Sequence, residues 1–170
     1  ALVGTIVYGL AAPWVLGGDP SLVSLRMFLC RINATGTLRD WWTKQDEAEY
    51  QKRAKVLVDQ FNAFEPLPDL HVNGKLTLGE NIADVSGLAA TYEAYRRSLG
   101  GKEAPVIQGF TGDQRFFIAY AQSWASRMRD ATLRQRIAVD GHAPDAFRSL
   151  TVRNLDAWYP AFNVQPGEKL

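Results

Sequence analysis

The sequence predicts a mainly helical protein, and three observations support this. Residues 77–99 repeat apolar side chains at helical spacing over about six turns. Residues 41–64 and 113–130 carry a similar apolar stripe, and each contains or follows a pattern typical of a helix start. The stretches between them are rich in Gly, Pro and Asn, which end helices. We therefore expect helices joined by short irregular connections.

Length and composition narrow the class of protein. The 170 residues suffice for one domain or for a piece of a larger one, and 46% hydrophobic content can form a core. A net charge of +1 gives no argument for binding nucleic acid. Cys30 is the single cysteine, so no disulfide framework is expected. The compartment stays open: we favour a bacterial periplasmic or extracellular location, with the cytoplasm as the alternative.

We divide the chain into an apolar head, residues 1–32, and a helical part, residues 33–170. Within the head, Ala1–Leu16 is interrupted by two glycines and a proline and is shorter than the roughly 20 residues of a membrane span. It predicts a buried strand or an irregular core segment. A remnant of a targeting segment and a short anchor that contacts a membrane surface are the alternatives. Ser21–Ile32 fits a short helix or a strand.

The helix predicted over residues 41–64 has two candidate N-caps, Asp40 and Thr43. Thr43-x-x-Asp46 is a capping-box pattern, in which the two side chains satisfy free backbone N–H groups at the helix start. Acidic residues come early and basic residues later, as the helix dipole prefers. Pro66 ends the helical pattern.

After the long helix, Gly100-Gly101 predicts its end. Thr111-x-x-Gln114 is a second capping-box pattern, and it opens the helix predicted over residues 113–130. Residues 132–138 predict one or two further helical turns. Asn154 is a candidate N-cap for a last short helix, Leu155–Tyr159.

The long helix carries Glu80 and Asp84 one turn apart, at the border of its apolar face. Neither acid has a Lys or Arg three or four residues away. Like charges at this spacing destabilise an isolated helix by about 0.2–0.5 kcal/mol, and partial burial adds to that cost. We therefore expect a cationic partner from elsewhere, and a metal ion or a histidine bound to one would fit. Two other interpretations stay open: Thr77-x-x-Glu80 as a capping box, and a solvated acidic turn at the positive end of the helix.

Four stretches of the chain resemble one enzyme family. Residues 73–84, with Glu80-Asn81-Ile82-Ala83-Asp84, resemble the second zinc motif of the neprilysin-like zinc metallopeptidases. Residues 34–42 resemble the segment after that family's first zinc motif, and residues 116–124 resemble its "FFxxFAQxW" helix. Residues 142–154 resemble its "HSPxxFRxxGxLxN" stretch. The motifs come in the family's order over residues 33–167, which makes the resemblance specific.

The resemblance implies a fold and a set of roles. The fold would be the C-terminal helical portion of a thermolysin-like zincin catalytic domain. The reaction would be hydrolysis of peptide substrates by a water activated on one zinc ion. Glu80 would ligate the zinc, and Asp84 would accept a hydrogen bond from a zinc-bound imidazole. His142 would donate to the oxyanion of the tetrahedral intermediate, and Arg148 would hold a substrate carbonyl.

The sequence departs from the family at the first zinc motif. His-Glu-x-x-His supplies two zinc ligands and the general base, but residues 16–30, where it would lie, contain no His or Glu. The chain has two histidines, His71 and His142, and neither has a second histidine four residues on. We assign His71 no role beyond a loop residue. We therefore predict that the 170-residue chain by itself is an inactive partial endopeptidase domain.

Three explanations of the departure stay open. The first 32 residues could result from a shifted reading frame or a rearranged start. They could instead be the degenerate head of a non-catalytic homologue. In the third explanation, the chain works only together with a complementary chain. The alternative function is a non-catalytic helical module that binds peptides or serves as a scaffold.

Overall fold

The computed structural model describes residues 43–168, and these are helical with no strand. The α-helices are α1 (Lys44–Asn62), α2 (Leu78–Ser98), α3 (Gly112–Ser123), α4 (Asp130–Val139), α5 (Asp145–Arg148) and α6 (Trp158–Ala161). A 3-10 helix, η1 (Ser149–Asn154), follows α5 directly. The mainly helical prediction is confirmed for this part of the chain. The expectations for Ala1–Leu16 and Ser21–Ile32, and the division at residue 32, lie outside the described residues.

The capping boxes predicted for α1 and α3 are both present. The Asp46 backbone N–H donates to Thr43 Oγ1 at 3.1 Å, and the Thr43 N–H donates to the Asp46 carboxylate at 2.9 Å. Thr111 and Gln114 make the same reciprocal pair at the start of α3. Two free donors are satisfied at each helix start, so both helices begin where the capping patterns place them. Helix α1 is shorter than the predicted range 41–64, because Thr43 and not Asp40 is its N-cap.

The alternative interpretation of Thr77-x-x-Glu80 as a capping box is wrong. Thr77 has helical backbone angles, and its hydroxyl makes no capping bond. It donates instead to the Asn73 carbonyl at 3.1 Å and accepts from Asn81 Nδ2 at 2.8 Å. Because Thr77 already lies in a turn that continues into the helix, the Glu80 carboxylate is left free for other contacts. The other end of α2 is as predicted, with Gly100 at φ +59° and Gly101 at φ +80°.

Two further boundaries differ from the prediction. The helix expected to reach residue 130 ends at Ser123, and α4 begins separately at Asp130. The chain leaves α3 at Trp124, whose ring packs over the Arg148 guanidinium. Asn154 is not an N-cap, because it ends η1, and α6 begins four residues later. The tight η1 turn places Thr151 and Val152 in the core.

Helix α2 is the common wall of two apolar clusters. Its Ile82 and Val85 belong to a cluster whose buried members are completed by Leu57, Phe61, Val72 and Ala143. Its Leu88 belongs to a second cluster, completed by Phe117, Val152 and Leu155. The apolar face predicted for α2 is therefore the buried one. Helix α2 is held on both sides, which fixes the position of the acids at its border.

No helix within residues 43–168 combines the length and the apolar character that crossing a bilayer needs.

Replacing Gly74 by Ala is predicted to destabilise the protein. A Cβ at Gly74 would collide with the Val58 carbonyl of α1, and the Gly74 N–H donates to Asn62 Oδ1 at 2.8 Å. The backbone must shift to relieve the collision, so we expect a loss of about 1–3 kcal/mol. Gly79→Ala is the control, because its Cβ would meet nothing within 4 Å. It should leave stability unchanged or raise it by up to about 1 kcal/mol. Urea unfolding measures both, and equal losses would contradict the close approach.

Candidate functional site

A buried ion pair joins α2 to α5. Arg148 Nε donates to Asp84 Oδ2 at 2.7 Å, and Arg148 Nη2 donates to Asp84 Oδ1 at 2.7 Å. The two side chains are 14% and 10% exposed. The planar guanidinium and the carboxylate thus meet through two parallel bonds, the geometry in which such pairs are strongest. Asp84 thus has a cationic partner from elsewhere in the fold, as expected, but the partner is an arginine and not the metal ion or metal-bound histidine that the sequence analysis named.

Two aromatic residues also contact Arg148: Tyr120 of α3, and Trp124, which directly follows α3. The guanidinium carbon lies 3.9 Å from the centre of the Trp124 ring. The Tyr120 hydroxyl donates to the Arg148 carbonyl at 3.3 Å. Burial acts against the charge of Arg148, but the Asp84 carboxylate outweighs it and raises the Arg148 pKa. Burial, together with the nearby Asp84 charge, also raises the pKa of Tyr120. The arginine is therefore charged and held on three sides.

One turn before Asp84, the Glu80 carboxylate faces His142. Glu80 Oε2 lies 3.2 Å from His142 Nε2, and each side chain is 43% exposed. His142 comes from the loop between α4 and α5, so the pair connects this loop to α2 as Arg148 connects α5 to it. The half-exposed Glu80–His142 pair and the buried Asp84–Arg148 pair therefore lie side by side along one helix.

Asp140 holds the His142 ring from the other side, and the sequence analysis missed it. Its Oδ1 accepts from the His142 backbone N–H at 2.9 Å and lies 2.8 Å from His142 Nδ1. Arg136 Nε donates to its Oδ2 at 3.1 Å. The contacts with the His142 side chain and backbone, and then Arg136, lower the Asp140 pKa to about 2. The available signal was the Asp-x-His spacing before α5, since an aspartate in a loop commonly binds the N–H two residues on.

The structure thus brings the four predicted site residues together in pairs. Asp84 is bound by Arg148 rather than by an imidazole among the described residues. Arg148 uses Nε and Nη2 for Asp84, and its Nη1 has no hydrogen bond within residues 43–168. His71 is an exposed loop residue, as expected.

The described residues do not by themselves make a zinc site. No group of three His, Cys, Asp or Glu side chains within residues 43–168 is placed to hold a metal ion. Protein zinc sites use three or four such ligands, and affinity depends on their number. Glu80 offers one carboxylate, with the His142 ring against it.

Comparisons with known proteins settle which family this arrangement represents. The model of "Peptidase family M13" matches residues 29–170. The chain belongs to peptidase family M13. Among its relatives is an endothelin-converting enzyme homolog of Locusta migratoria, 37% identical over 139 residues, which are 79% of this chain and 19% of that protein. Human endothelin-converting enzyme-like 1 is 38% identical over 123 residues, or 71% of this chain and 16% of the relative.

Solved M13 structures share the fold. The crystal structure of the Mycobacterium tuberculosis zinc metalloprotease ZMP1 in complex with an inhibitor matches with a TM-score of 0.75 and 40% identity. The match covers 91% of this chain and 25% of that one. The resemblance to zinc metallopeptidases and the expected fold are therefore confirmed. The chain spans about a fifth of the length of the curated M13 relatives it matches.

Breaking the buried ion pair is predicted to cost far more than breaking a surface pair. Arg148→Met leaves the Asp84 carboxylate buried without its partner, and we expect a loss of about 3–5 kcal/mol. The control is Arg97→Met on the same helix as Asp84, because Arg97 pairs with Glu93 at 75% and 61% exposure. That change should cost about 0.5 kcal/mol or less. Chemical unfolding measures both, and similar losses would contradict the burial of the Asp84–Arg148 pair.

The Asp140 contacts predict a pH dependence of stability. Its folded pKa of about 2 lies below the ordinary value of about 3.9, so the carboxylate stabilises the fold above pH 4. This contribution is lost as the pH falls from about 4 to about 2. The stability difference between the wild type and Asp140→Asn should shrink over that interval. Asp156→Asn is the control, because Asp156 is exposed and has no partner in the described part of the chain. A difference that is constant from pH 5 to pH 2 would refute the prediction.

Proposed function

We propose that this chain is part of the catalytic domain of an M13 zinc endopeptidase. In it, Glu80 is one zinc ligand, and the other ligands come from a His-Glu-x-x-His helix absent from this sequence. The observation that carries the proposal is the position of the Glu80 carboxylate. It makes no capping bond at the helix start, and it is 43% exposed next to an imidazole. The family membership and the motif over residues 73–84 support the same role.

The remaining residues have roles in binding and orientation. His142 would present a ring N–H to the oxyanion that develops at the scissile carbonyl, with Asp140 holding the ring through Nδ1. Arg148 would offer Nη1, which has no hydrogen bond within residues 43–168, to a substrate carbonyl, while Asp84 and Trp124 fix the plane of the guanidinium. Asp84 would also accept from a zinc-bound imidazole, sharing its oxygens with Arg148. The zinc ion, when all ligands are present, supplies the activated water.

This proposal predicts that the 170-residue chain alone is inactive. One carboxylate binds zinc weakly, so we expect less than about 0.1 zinc per chain after dialysis, and no zinc-dependent cleavage of a fluorogenic peptide. Mixing with an M13 polypeptide that carries His-Glu-x-x-His should restore zinc binding. Glu80→Gln should weaken that binding at least about tenfold, whereas Glu93→Gln, at the exposed far end of α2, should not. Cleavage by the chain alone, abolished by Glu80→Ala, would overturn the inactivity.

A non-catalytic peptide-binding or scaffold module is the second candidate. One observation favours it: the charge of Arg148 is already balanced by Asp84, so the fold needs no metal to satisfy these groups. Fluorescence anisotropy of a labelled peptide in the presence of a chelator distinguishes the two. Peptide binding that neither a chelator nor Glu80→Gln changes would support the module. Binding that appears only with zinc would support the peptidase part.

A further inference from the structure

The Asp140 carboxylate divides its two oxygens between two partners. Oδ1 serves His142, through the backbone N–H at 2.9 Å and Nδ1 at 2.8 Å. Oδ2 serves Arg136, with Nε and Nη2 each at 3.1 Å. Any rotation of the carboxylate that takes Oδ1 away from the His142 ring also takes Oδ2 away from Arg136. The two contacts therefore support each other.

Arg136 is itself well placed to hold this carboxylate. It lies in the last turn of α4, and the Asp140 backbone N–H donates to its carbonyl at 2.7 Å. The helix thus fixes the Arg136 backbone one turn before Asp140. The two side chains are 39% and 25% exposed, so the pair is shielded from water on part of its surface. Arg136 has no hydrogen bond to His142 or Glu80 within residues 43–168.

We propose that Arg136 is a positioning residue, which holds Asp140 so that the His142 ring keeps its Nε2 toward Glu80. It acts through Asp140 and touches neither the ring nor the glutamate. The ring keeps this orientation in the chain alone, without zinc or peptide. The consequence for oxyanion binding rests on the function proposed above.

If Arg136 only stabilised α4, its replacement would not affect the His142 ring. A basic side chain in the last turn stabilises a helix through the helix dipole, without any effect on His142. Arg134, on the same helix, is exposed and has no partner in the described part of the chain. Arg134→Gln is therefore the control for removing one positive charge from α4, and Arg136→Lys, which keeps the charge in the last turn, is the control for the helix dipole.

The test is side-chain NMR of His142 in the whole 170-residue chain, with neither zinc nor peptide. The exchange rate of the Nδ1 proton with water reports how firmly Asp140 holds the ring, and the loop residue His71 is the internal reference. We expect Arg136→Gln to accelerate this exchange about two- to fivefold, which corresponds to an ion pair of about 0.4–1 kcal/mol. Arg136→Lys keeps the charge but not the planar fork and should give a smaller change. Arg134→Gln should give none.

A double-mutant cycle with Asp140→Asn tests whether Arg136 acts through Asp140. In that background, Arg136→Gln should have no further effect on the His142 ring. An equal effect in both backgrounds, or equal effects of Arg136→Gln and Arg134→Gln, would overturn the proposal. The proposal would also be overturned if Arg136→Gln lowered the free energy of unfolding but left the exchange rate of the His142 Nδ1 proton unchanged. None of these results depends on zinc binding or cleavage, so a failure here is distinct from a failure of the proposed peptidase role.

Discussion

The bidentate bond between Asp84 and Arg148 is the interaction on which the arrangement of this chain depends. It joins residues 64 positions apart and fixes the short helix α5 against α2. Two charges at 10% and 14% exposure are costly to bury, and two short bonds with good geometry offset that cost. The loop that carries His142 lies directly before α5, so the ion pair also sets the position of that loop relative to Glu80.

The two acids of α2 have different environments because they face different parts of the fold. Both oxygens of Asp84 accept from Arg148, whose guanidinium packs over the Trp124 ring. Glu80 lies one turn closer to the helix start, where its neighbour is a half-exposed histidine. Burial therefore makes one carboxylate a structural anchor and leaves the other accessible to a ligand. For a member of peptidase family M13, this division separates the residue that holds the fold from the residue proposed to hold zinc.

Local patterns predicted most of the fold and part of the site. Both real capping boxes, the glycine end of α2 and its buried face are short-range features that a few neighbouring residues determine. The capping box at Thr77 failed because Asn81 takes the hydroxyl, and Asn81 is buried for reasons that only the packed structure shows. The need for a cation near Asp84 was predictable from the charges of α2. That the cation is Arg148, and that Asp140 holds His142, depends on contacts between elements distant in the sequence or on loop geometry.

The Thr77–Asn81 bond has a consequence for any attempt to stabilise this protein by redesign. The first turn of α2 is an obvious target, because an improved N-cap residue with extended backbone angles would recruit Glu80 as its capping partner. The redesigned helix would be more stable, and its glutamate would be committed to a backbone N–H. Selection for thermal tolerance alone would therefore favour variants in which the carboxylate proposed to ligate zinc is bound to the backbone instead, an instance of the trade-off between stability and activity.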